Sequence, residues 1–169
     1  MGGVLKPLLP VGGVPMLHRV LDAARGAGAD PIVVVGPSEL DVHIGSARRT
    51  QEEPPGGGPV AGIVAGLALC VEADEIAILG GDLPFVTAEA ITGLRGAKAS
   101  VYKDERRQPM VTVWRAEELQ TALAGGPRSM MALLNAVAAT DVRWAGQDPP
   151  PWYDCDTPQA LEEAQRWFR

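Results

Sequence analysis

The chain has 169 residues, of which 46% are apolar, and its formal net charge is −6. This length supports one domain with a hydrophobic core, and the even spread of apolar residues excludes a disordered chain. The negative charge argues against binding to nucleic acid, which needs a basic surface. Since the sequence has neither a signal-peptide pattern nor a long apolar span, we expect a soluble, cytoplasmic protein without membrane contact.

The two cysteines, Cys70 and Cys155, give no indication of a metal site or a disulfide scaffold. Neither lies in a C-x-x-C pattern or beside clustered histidines, as zinc ligands do. Two cysteines cannot define a disulfide-rich fold, so we expect a reducing compartment. We interpret His18, on a predicted helix, and His43, in a polar loop, as structural or surface residues.

Two helices and one strand are predicted in the N-terminal part of the chain. After a Gly/Pro-rich opening, apolar residues at helical spacing predict a helix over 15–24, with Pro15 in its first turn. The β-branched run 31–36 predicts a buried strand, and the Ala-rich stretch 60–71 predicts a helix packed on the sheet. Residues 49–59 form a polar and then Gly/Pro-rich loop between them.

The most informative stretch is 76–85. An apolar run of the kind that forms a buried parallel strand ends in two glycines, followed by Asp82 and Pro84. Ligands of open α/β sheets bind just past the carboxyl ends of strands, and Pro84 fixes the loop that leaves this one. Asp82 is therefore well placed to hold a metal ion or a ligand, although a loop-stabilising Asp explains the position equally well.

The remaining elements continue the alternation of strands and helices. Thr87 and Thr157 are placed as helix N-caps, and Pro158 suits a first helical position. The other predicted elements are strands over 99–103 and 110–114 joined by the charged turn 104–107, helices over 116–124 and 130–137, and a strand over 141–144. This order predicts a three-layer α/β/α Rossmann-like fold with a mostly parallel sheet. Because no repeat or linker is visible, we expect residues 1–169 to form a single domain.

Three further segments carry groups suited to ligand binding. Asp156 either complements the dipole of the last helix or faces Asp82, and two facing carboxylates need a cation. Oxygen ligands beside a phosphate favour Mg²⁺. Residues 56–62 read G-G-G-P-V-A-G and lead into the helix predicted over 60–71. Glycines before a helix start let backbone N–H groups face a ligand, although a flexible surface loop explains them as well. Lys6 is either a solvated lysine or a point charge for a phosphate.

In order and spacing, these segments resemble the MobA-like nucleotidyltransferase family. Residues 1–6 are similar to the end of its R-M-G-G-x-x-K signature, and residues 58–62 to its G-P-L-A-G motif. Residues 81–84 are similar to its x-D-x-P motif, and residues 156–161 to its N/D-T-P-x-x-L motif. The resemblance covers the whole chain and implies the family's nucleotidyltransferase fold and activity.

The resemblance also implies the roles of individual residues. Lys6 and Asp82 would be catalytic, Lys6 at the nucleotide phosphates and Asp82 on Mg²⁺, with Asp156 supporting that ion. The residues implied beside the nucleotide or the second substrate are Gly36, the Glu52–Glu53 pair (Glu53 above all), Gly58, Pro59, Gln108 and Arg128. Gly36 departs from members that carry Asn at this position.

The implied reaction transfers GMP from GTP to molybdopterin. The terminal phosphate of the pterin attacks the α-phosphorus of GTP and pyrophosphate leaves, so positioning and charge neutralisation carry the catalysis. Besides these two small molecules, the resemblance implies transient contact with molybdoenzymes or other proteins of cofactor biosynthesis. The turn 104–107 is either a partner surface or a solvated hairpin tip.

The family's first strand and most of its Gly-rich loop have no counterpart in the sequence. That strand is central in the family's sheet, and its loss leaves backbone groups of its neighbours unpaired. We therefore expect the true start to lie upstream of Met1, with a truncated, noncatalytic relative as the alternative. A cytidylyltransferase acting on the same pterin also stays open, because Gly81 precedes Asp82 as in the cytidylyl branch, whereas residues 58–62 favour the guanylyl branch.

Overall fold

The computed structural model describes residues 5–168, whose strands fall into three groups. The first is the antiparallel hairpin of β1 (Pro10–Val11) and β2 (Val14–Pro15), and the second is the parallel pair of β3 (Val33–Val35) and β4 (Arg48–Thr50). The third is a four-stranded sheet of β5 (Glu75–Leu79), β6 (Ala99–Lys103), β7 (Arg107–Arg115) and β8 (Thr140–Val142) in the order β5-β7-β6-β8.

Six α-helices connect these strands within the described residues. They are α1 (Met16–Gly26), α2 (Pro59–Leu67), α3 (Ala88–Thr92), α4 (Ala116–Ala124), α5 (Met130–Ala136) and α6 (Pro158–Arg166), and short 3-10 helices cover Lys6–Leu8 and Ser38–His43. The N-cap residues of α3, α5 and α6 are Thr87, Ser129 and Thr157, whose hydroxyl oxygens accept from backbone N–H groups at 3.1 to 3.2 Å. These caps satisfy donors that a helix start otherwise leaves free.

The four-stranded sheet is packed on both faces. On one face, Val111 and Val113 of β7 lie with Val20 of α1 and Ile91 of α3 in a buried cluster. On the other face, the fully buried Trp114 packs with residues of α4 and α5, and its Nε1–H donates to the Thr112 hydroxyl at 2.9 Å. The helices therefore form a layer on each side of the sheet.

The parallel pair of β3 and β4 is attached to this body through α1 and α2. Val34 lies in a buried cluster with Leu17 and Leu21 of α1. A Cβ at Gly66 of α2 would lie 3.1 Å from Val35 Cγ2, so a glycine allows the helix to approach β3 closely. Since Gly62 lies near Val35 and Gly66 reaches back to Val33, α2 runs opposite to β3.

The predicted three-layer α/β fold is confirmed, and the sheet is mixed, because β7 runs antiparallel to β5 and β6 while β8 is parallel to β6. The prediction was correct to the residue for α4. It placed the end of α2 at Val71, but the helix ends at Leu67. No helix among residues 5–168 is long and apolar enough to cross a membrane.

Candidate active site

The two ends of the described chain meet at the carboxyl end of β5. Lys6 Nζ donates to Asp156 Oδ1 at 3.0 Å, although the two residues are 150 positions apart. Lys6 begins the first 3-10 helix, and Asp156 directly precedes Thr157, the N-cap of α6. A Cβ at Gly81, just after β5, would lie 3.3 Å from Pro7 Cγ, so the segment after Lys6 passes directly over this loop.

Two hydrogen bonds between Gln165 of α6 and the β1–β2 hairpin, which we call the lock, hold the Lys6–Asp156 contact in place. Gln165 accepts from the Gly12 N–H at 3.0 Å and donates to the Pro10 carbonyl at 2.6 Å. Gly12 has a φ of +58°, and a Cβ there would lie 2.6 Å from the ring of Phe168, so only glycine suits this turn. Beneath the lock, Val11 and Cys155 are fully buried with Met16 and Ala164.

Aromatic side chains tie the Asp82 loop to the same lock. Phe85 stacks on Phe168 with a centroid distance of 5.6 Å and meets Tyr153 edge-on, also at 5.6 Å. The Tyr153 hydroxyl lies 3.0 Å from a Glu163 carboxylate oxygen of α6. Because Phe85 follows Asp82 by three residues and Tyr153 precedes Asp156 by three, this packing brings the two carboxylates to one site.

The site holds more negative than positive charge. Asp82 is half-buried, and burial, followed by the charges of Asp156 and Asp154, raises its pKa. Burial and Asp156 likewise raise the pKa of Asp154. The hydrogen bond and charge of Asp156 raise the pKa of Lys6, which stays protonated at neutral pH. Three carboxylates that share one ammonium group favour binding of a cation.

Asp154 is a residue of this site that the sequence analysis missed. The signal was present, because residues 154–156 read D-C-D and alternate residues of an extended segment point the same way. Among residues 5–168, no three His, Cys, Asp or Glu side chains converge closely enough to form a complete metal-binding group. A cation here would therefore need oxygen ligands from a substrate or from water.

The glycine-rich loop leads into α2 as predicted. Gly58, with a φ of +86°, is the residue before the helix, and Pro59 is its first residue. The Glu52 carboxylate accepts from the Gly56 N–H at 2.9 Å and so holds the loop, and Glu52 also lines the cavity beside it. Glu53 is exposed, so Glu52 is the member of the pair that faces the cavity.

The side chain of Leu40 packs closely against the backbone of Gly36. A Cβ at Gly36 would lie 2.7 Å from Leu40 Cδ1. Its N–H donates to the Thr50 carbonyl at 2.9 Å, and its own carbonyl accepts from Arg49 Nη1 at 3.1 Å. A side chain at this position would require the end of the Leu40 side chain to shift.

Gln108 is the second residue of β7, next to the turn that joins β6 to β7. Its amide nitrogen donates to Asp104 Oδ1 at 3.0 Å, and the Arg106 N–H lowers the pKa of Asp104 most, with a smaller contribution from the side chain of Trp152. The hairpin thereby reaches the segment that leads to Asp154. Arg128 is exposed between α4 and α5.

The cysteines and histidines take no part in this site. Burial, with nearby carboxylates, raises the pKa of Cys155 to about 11, so its thiol stays protonated. Burial also raises the pKa of Cys70. His18 and His43 lie near each other, with ring centroids 6.2 Å apart, and Nε2 of His18 is buried without a hydrogen-bond partner among residues 5–168.

A lysine and carboxylates at the carboxyl end of a strand, next to a glycine-led helix start, define a Rossmann-like α/β protein with a ligand site at that edge. The chain belongs to the MobA-like NTP transferase domain family, whose sequence model matches residues 1–147. The protein is therefore a nucleotidyltransferase by family, as the motifs predicted.

Individual relatives agree with this assignment. The chain is 30% identical over 142 residues to a protein of Opitutus terrae named "Probable molybdenum cofactor guanylyltransferase", covering 78% of this chain and 70% of that one. It is 26% identical over 183 residues to a molybdenum cofactor guanylyltransferase of Rhodopseudomonas palustris, covering 98% and 87%. A nucleotidyl transferase of Methanothermobacter has the same fold, with a TM-score of 0.80, 19% identity, and coverage of 98% of this chain and 85% of that one.

Proposed function

We propose that this nucleotidyltransferase transfers GMP from GTP to molybdopterin and releases pyrophosphate. The observation that carries the proposal is the convergence of Lys6, Asp82 and Asp156 at the end of β5, beside the start of α2. The two relatives named guanylyltransferases support this choice of substrates. We further propose one domain over residues 1–169, a cytoplasmic location and transient contact with the proteins that receive the cofactor.

We propose Mg²⁺ as the metal, bound by Asp82 and supported by Asp156. The donor set fits this ion, because it consists of carboxylate oxygens whose mutual repulsion contributes to the raised pKa of Asp82 and which a cation would relieve. Mg²⁺ typically takes one or two carboxylates and completes its shell with phosphate oxygens and water. When bound, it would neutralise charge on the reacting phosphates.

The remaining residues would position the two substrates. Lys6 would exchange its bond to Asp156 for a bond to a phosphate oxygen of the nucleotide, and the N–H groups that follow Gly58 and Pro59 would face the triphosphate or the base. A phosphate oxygen of the pterin would bond to the α-phosphorus while the bond from that phosphorus to the β-phosphate oxygen breaks. No protein nucleophile takes part in this step.

Further residues around the two substrates complete the proposed site. Gly36 and Glu53, with Glu52 as its neighbour on the cavity, would flank the nucleotide base. Gln108, and on the exposed side Arg128, would meet the pterin.

The proposal is tested by following pyrophosphate release with Mg²⁺, molybdopterin and either GTP or CTP. We expect release with GTP, and a loss of at least about 10²- to 10³-fold in kcat for Asp82→Ala, because a preorganised electrostatic contact is removed. Asp22→Asn is the matched control, because Asp22 is an exposed carboxylate on α1 that pairs with Arg25 at 3.0 Å; it should keep the wild-type rate.

The other outcomes identify the alternatives. A cytidylyltransferase, favoured by Gly81 before Asp82, would release pyrophosphate with CTP instead. Release with neither nucleotide would identify a noncatalytic relative. A wild-type rate for Asp82→Ala at saturating Mg²⁺ would exclude Asp82 as the metal ligand.

A further inference from the structure

The charged turn 104–107 lies at the same edge of the sheet as the candidate active site. Since β5 and β6 both run antiparallel to β7, they are parallel to each other, and the turn follows β6 as the Asp82 loop follows β5. Leu79, the last residue of β5, pairs with Val111, so residues 107–110 of β7 extend beyond the end of β5. The turn therefore projects from the edge at which α/β sheets bind ligands.

Hydrogen bonds of Asp104 hold the backbone of the turn. Asp104 Oδ1 accepts from the Arg106 N–H at 2.9 Å and from the side-chain amide of Gln108 at 3.0 Å. The Asp104 N–H donates in turn to the Arg106 carbonyl at 3.3 Å. An Asp that bonds to the backbone two residues further on is typical of tight turns. The chain itself therefore fixes the position from which the Arg106 side chain projects.

Arg106 differs from the two cations beside it. Lys103 and Arg107 both pair with Asp141 of β8, at 3.0 Å and 2.6 Å, and Arg107 also donates to the Ala139 carbonyl at 3.0 Å. The Arg106 side chain is exposed and makes neither a hydrogen bond nor an ion pair with any residue from 5 to 168. Its five N–H donors are therefore available to an anion.

The turn also lies close to the acidic residues of the site. Trp152 packs against a buried cluster that includes Leu83 of the loop after β5, and its ring centroid lies 5.4 Å from that of Tyr102 in β6. Asp154 follows Trp152 by two residues. Burial raises the pKa of Asp154, and the charge of Arg106 opposes this rise. The guanidinium is therefore within electrostatic range of the candidate active site.

We propose that Arg106 binds the terminal phosphate of the acceptor and holds it beside Asp82 and Asp156, an inference that rests on the proposed function. The ligand class is a phosphate monoester, whose phosphate carries about two negative charges near neutral pH. A guanidinium binds two phosphate oxygens at once through its planar fork, which a lysine does not. The turn is thus the acceptor side of the site rather than a solvated tip.

The charge of the site explains why the acceptor needs a cation of its own. Asp82, Asp154 and Asp156 outnumber Lys6, and the proposed function assigns Lys6 to the nucleotide. A phosphate dianion that approaches these carboxylates is repelled unless a further positive charge accompanies it. Arg106 supplies that charge at two oxygens of the phosphate. The third oxygen forms the bond to the α-phosphorus, while the bond from this phosphorus to the bridging oxygen breaks and its electrons leave with pyrophosphate.

Binding of neopterin monophosphate, a pterin with a phosphate monoester, tests the proposal on the full chain. Titrations are followed by the fluorescence of the pterin, and neopterin without the phosphate is the matched ligand control. We expect Arg106→Gln to weaken binding of neopterin monophosphate by at least about tenfold, because a charged two-oxygen contact is lost. The same variant should bind neopterin as the wild type does.

Two further variants separate the contact from the general charge of the protein. Arg115→Gln is the matched control, because Arg115 is an exposed arginine at the other end of β7; it should bind both pterins as the wild type does. Arg106→Lys should recover part of the lost affinity for neopterin monophosphate, because it restores the charge without the fork.

Steady-state kinetics extend the test to the complete reaction. In the pyrophosphate assay, Arg106→Gln should raise the KM for molybdopterin by at least about tenfold and leave the KM for GTP unchanged, because the contact is made to the acceptor alone.

Three outcomes would overturn the proposal. The first is that Arg106→Gln and the wild type bind neopterin monophosphate equally or not at all. The second is an equal loss in Arg115→Gln, because this would indicate an effect of net charge. The third is an equal loss for neopterin, because Arg106 would then act on the ring or on the turn. The predicted binding pattern without pyrophosphate release from molybdopterin would support the role of Arg106 and contradict the proposed reaction alone.

Discussion

The two halves of the molecule differ in how completely their strands are paired. In the half built on β6 and β7, each of these strands has a neighbour on both edges, and Trp114, Val101 and Leu133 are fully buried. In the other half, β3 and β5 each pair along one edge among the described residues, and residues of both strands line a cavity of ≈ 470 Å³. The local sequence is strand-like in both halves, so the difference is one of partners rather than of propensity.

The candidate active site lies on the seam between these halves. Lys6, Asp82 and Asp156 are fixed by the lock of α6 on the hairpin and by the stack of Phe85 on Phe168. The Gly58 loop, by contrast, borders the cavity between β3 and β5. The difference indicates that packing within the chain already holds the three charged groups in place, whereas the Gly58 loop has a cavity on one side.

The largest expected effect comes from a substitution in the half built on β6 and β7, which we call the packed half. Trp114→Ala removes a fully buried indole and leaves the Thr112 hydroxyl without its donor, so we expect a loss of about 3–5 kcal/mol in the free energy of unfolding. Urea denaturation measures it. Trp167→Ala is the matched control, because Trp167 is 56% exposed and should cost less than about 0.5 kcal/mol. Equal costs would mean that the packed half does not carry the stability.

A smaller effect is expected for a substitution of Asp82, which lies on the seam between the two halves. Asp82→Asn removes a carboxylate whose pKa is raised by burial and by Asp156 and Asp154, so it should raise the melting temperature of the metal-free protein at pH 7, on the order of 2–4 °C. A raised pKa means that the charged form penalises the folded state. The gain should therefore shrink as the pH falls and disappear below about pH 4, where Asp is protonated in both states.

Thermal melts from pH 3 to 7 measure this dependence. A lower melting temperature for Asp82→Asn at pH 7 would show that Asp82 stabilises the loop rather than being held there for a ligand.

The smallest expected effect is that of Asp141→Asn in the packed half, and unlike Asp82→Asn it should lower the stability of the protein. Asp141 of β8 accepts from Arg107 Nε at 2.6 Å and from Lys103 Nζ at 3.0 Å. The hydrogen bond from Lys103, followed by Arg107, lowers its pKa, so its contribution is present above the ordinary pKa of Asp and is lost as the pH falls. Asp141→Asn should cost about 0.5–1 kcal/mol at pH 7 and nothing at low pH, as urea denaturation at both pH values would show.

The elements that sequence reasoning predicted well have local signals. Thr157 and Pro158 mark the start of α6, and a hydroxyl cap forms there as expected. The hairpin of β1 and β2 and the strand β4 were missed. Each of the first two has two residues, and β4 reads Arg-Arg-Thr, so pairing through the backbone holds it rather than an apolar pattern.

The residues of the candidate active site also fall into those with a local sequence signal and those without one. Asp82 was recognisable from its place after an apolar run, but the bond from Lys6 to Asp156 joins residues 150 positions apart, which no local pattern encodes. Asp154 was missed because its approach to Asp82 depends on how α6 packs on the β1–β2 hairpin. The sequence shows that Gly36 has no side chain, but the close approach of Leu40 to Gly36 is visible only in the packed structure.

The measurement that tests the division of the molecule most directly is residue-resolved amide hydrogen exchange along β5 in the free chain. If the edge of β5 that faces away from β7 is unpaired, as it is among the described residues, Ala77 and Leu79 should exchange at least about tenfold faster than Ile76 and Ile78, whose N–H groups face β7. Equal protection of all four amides would contradict the account, because it would require a partner on that edge of β5.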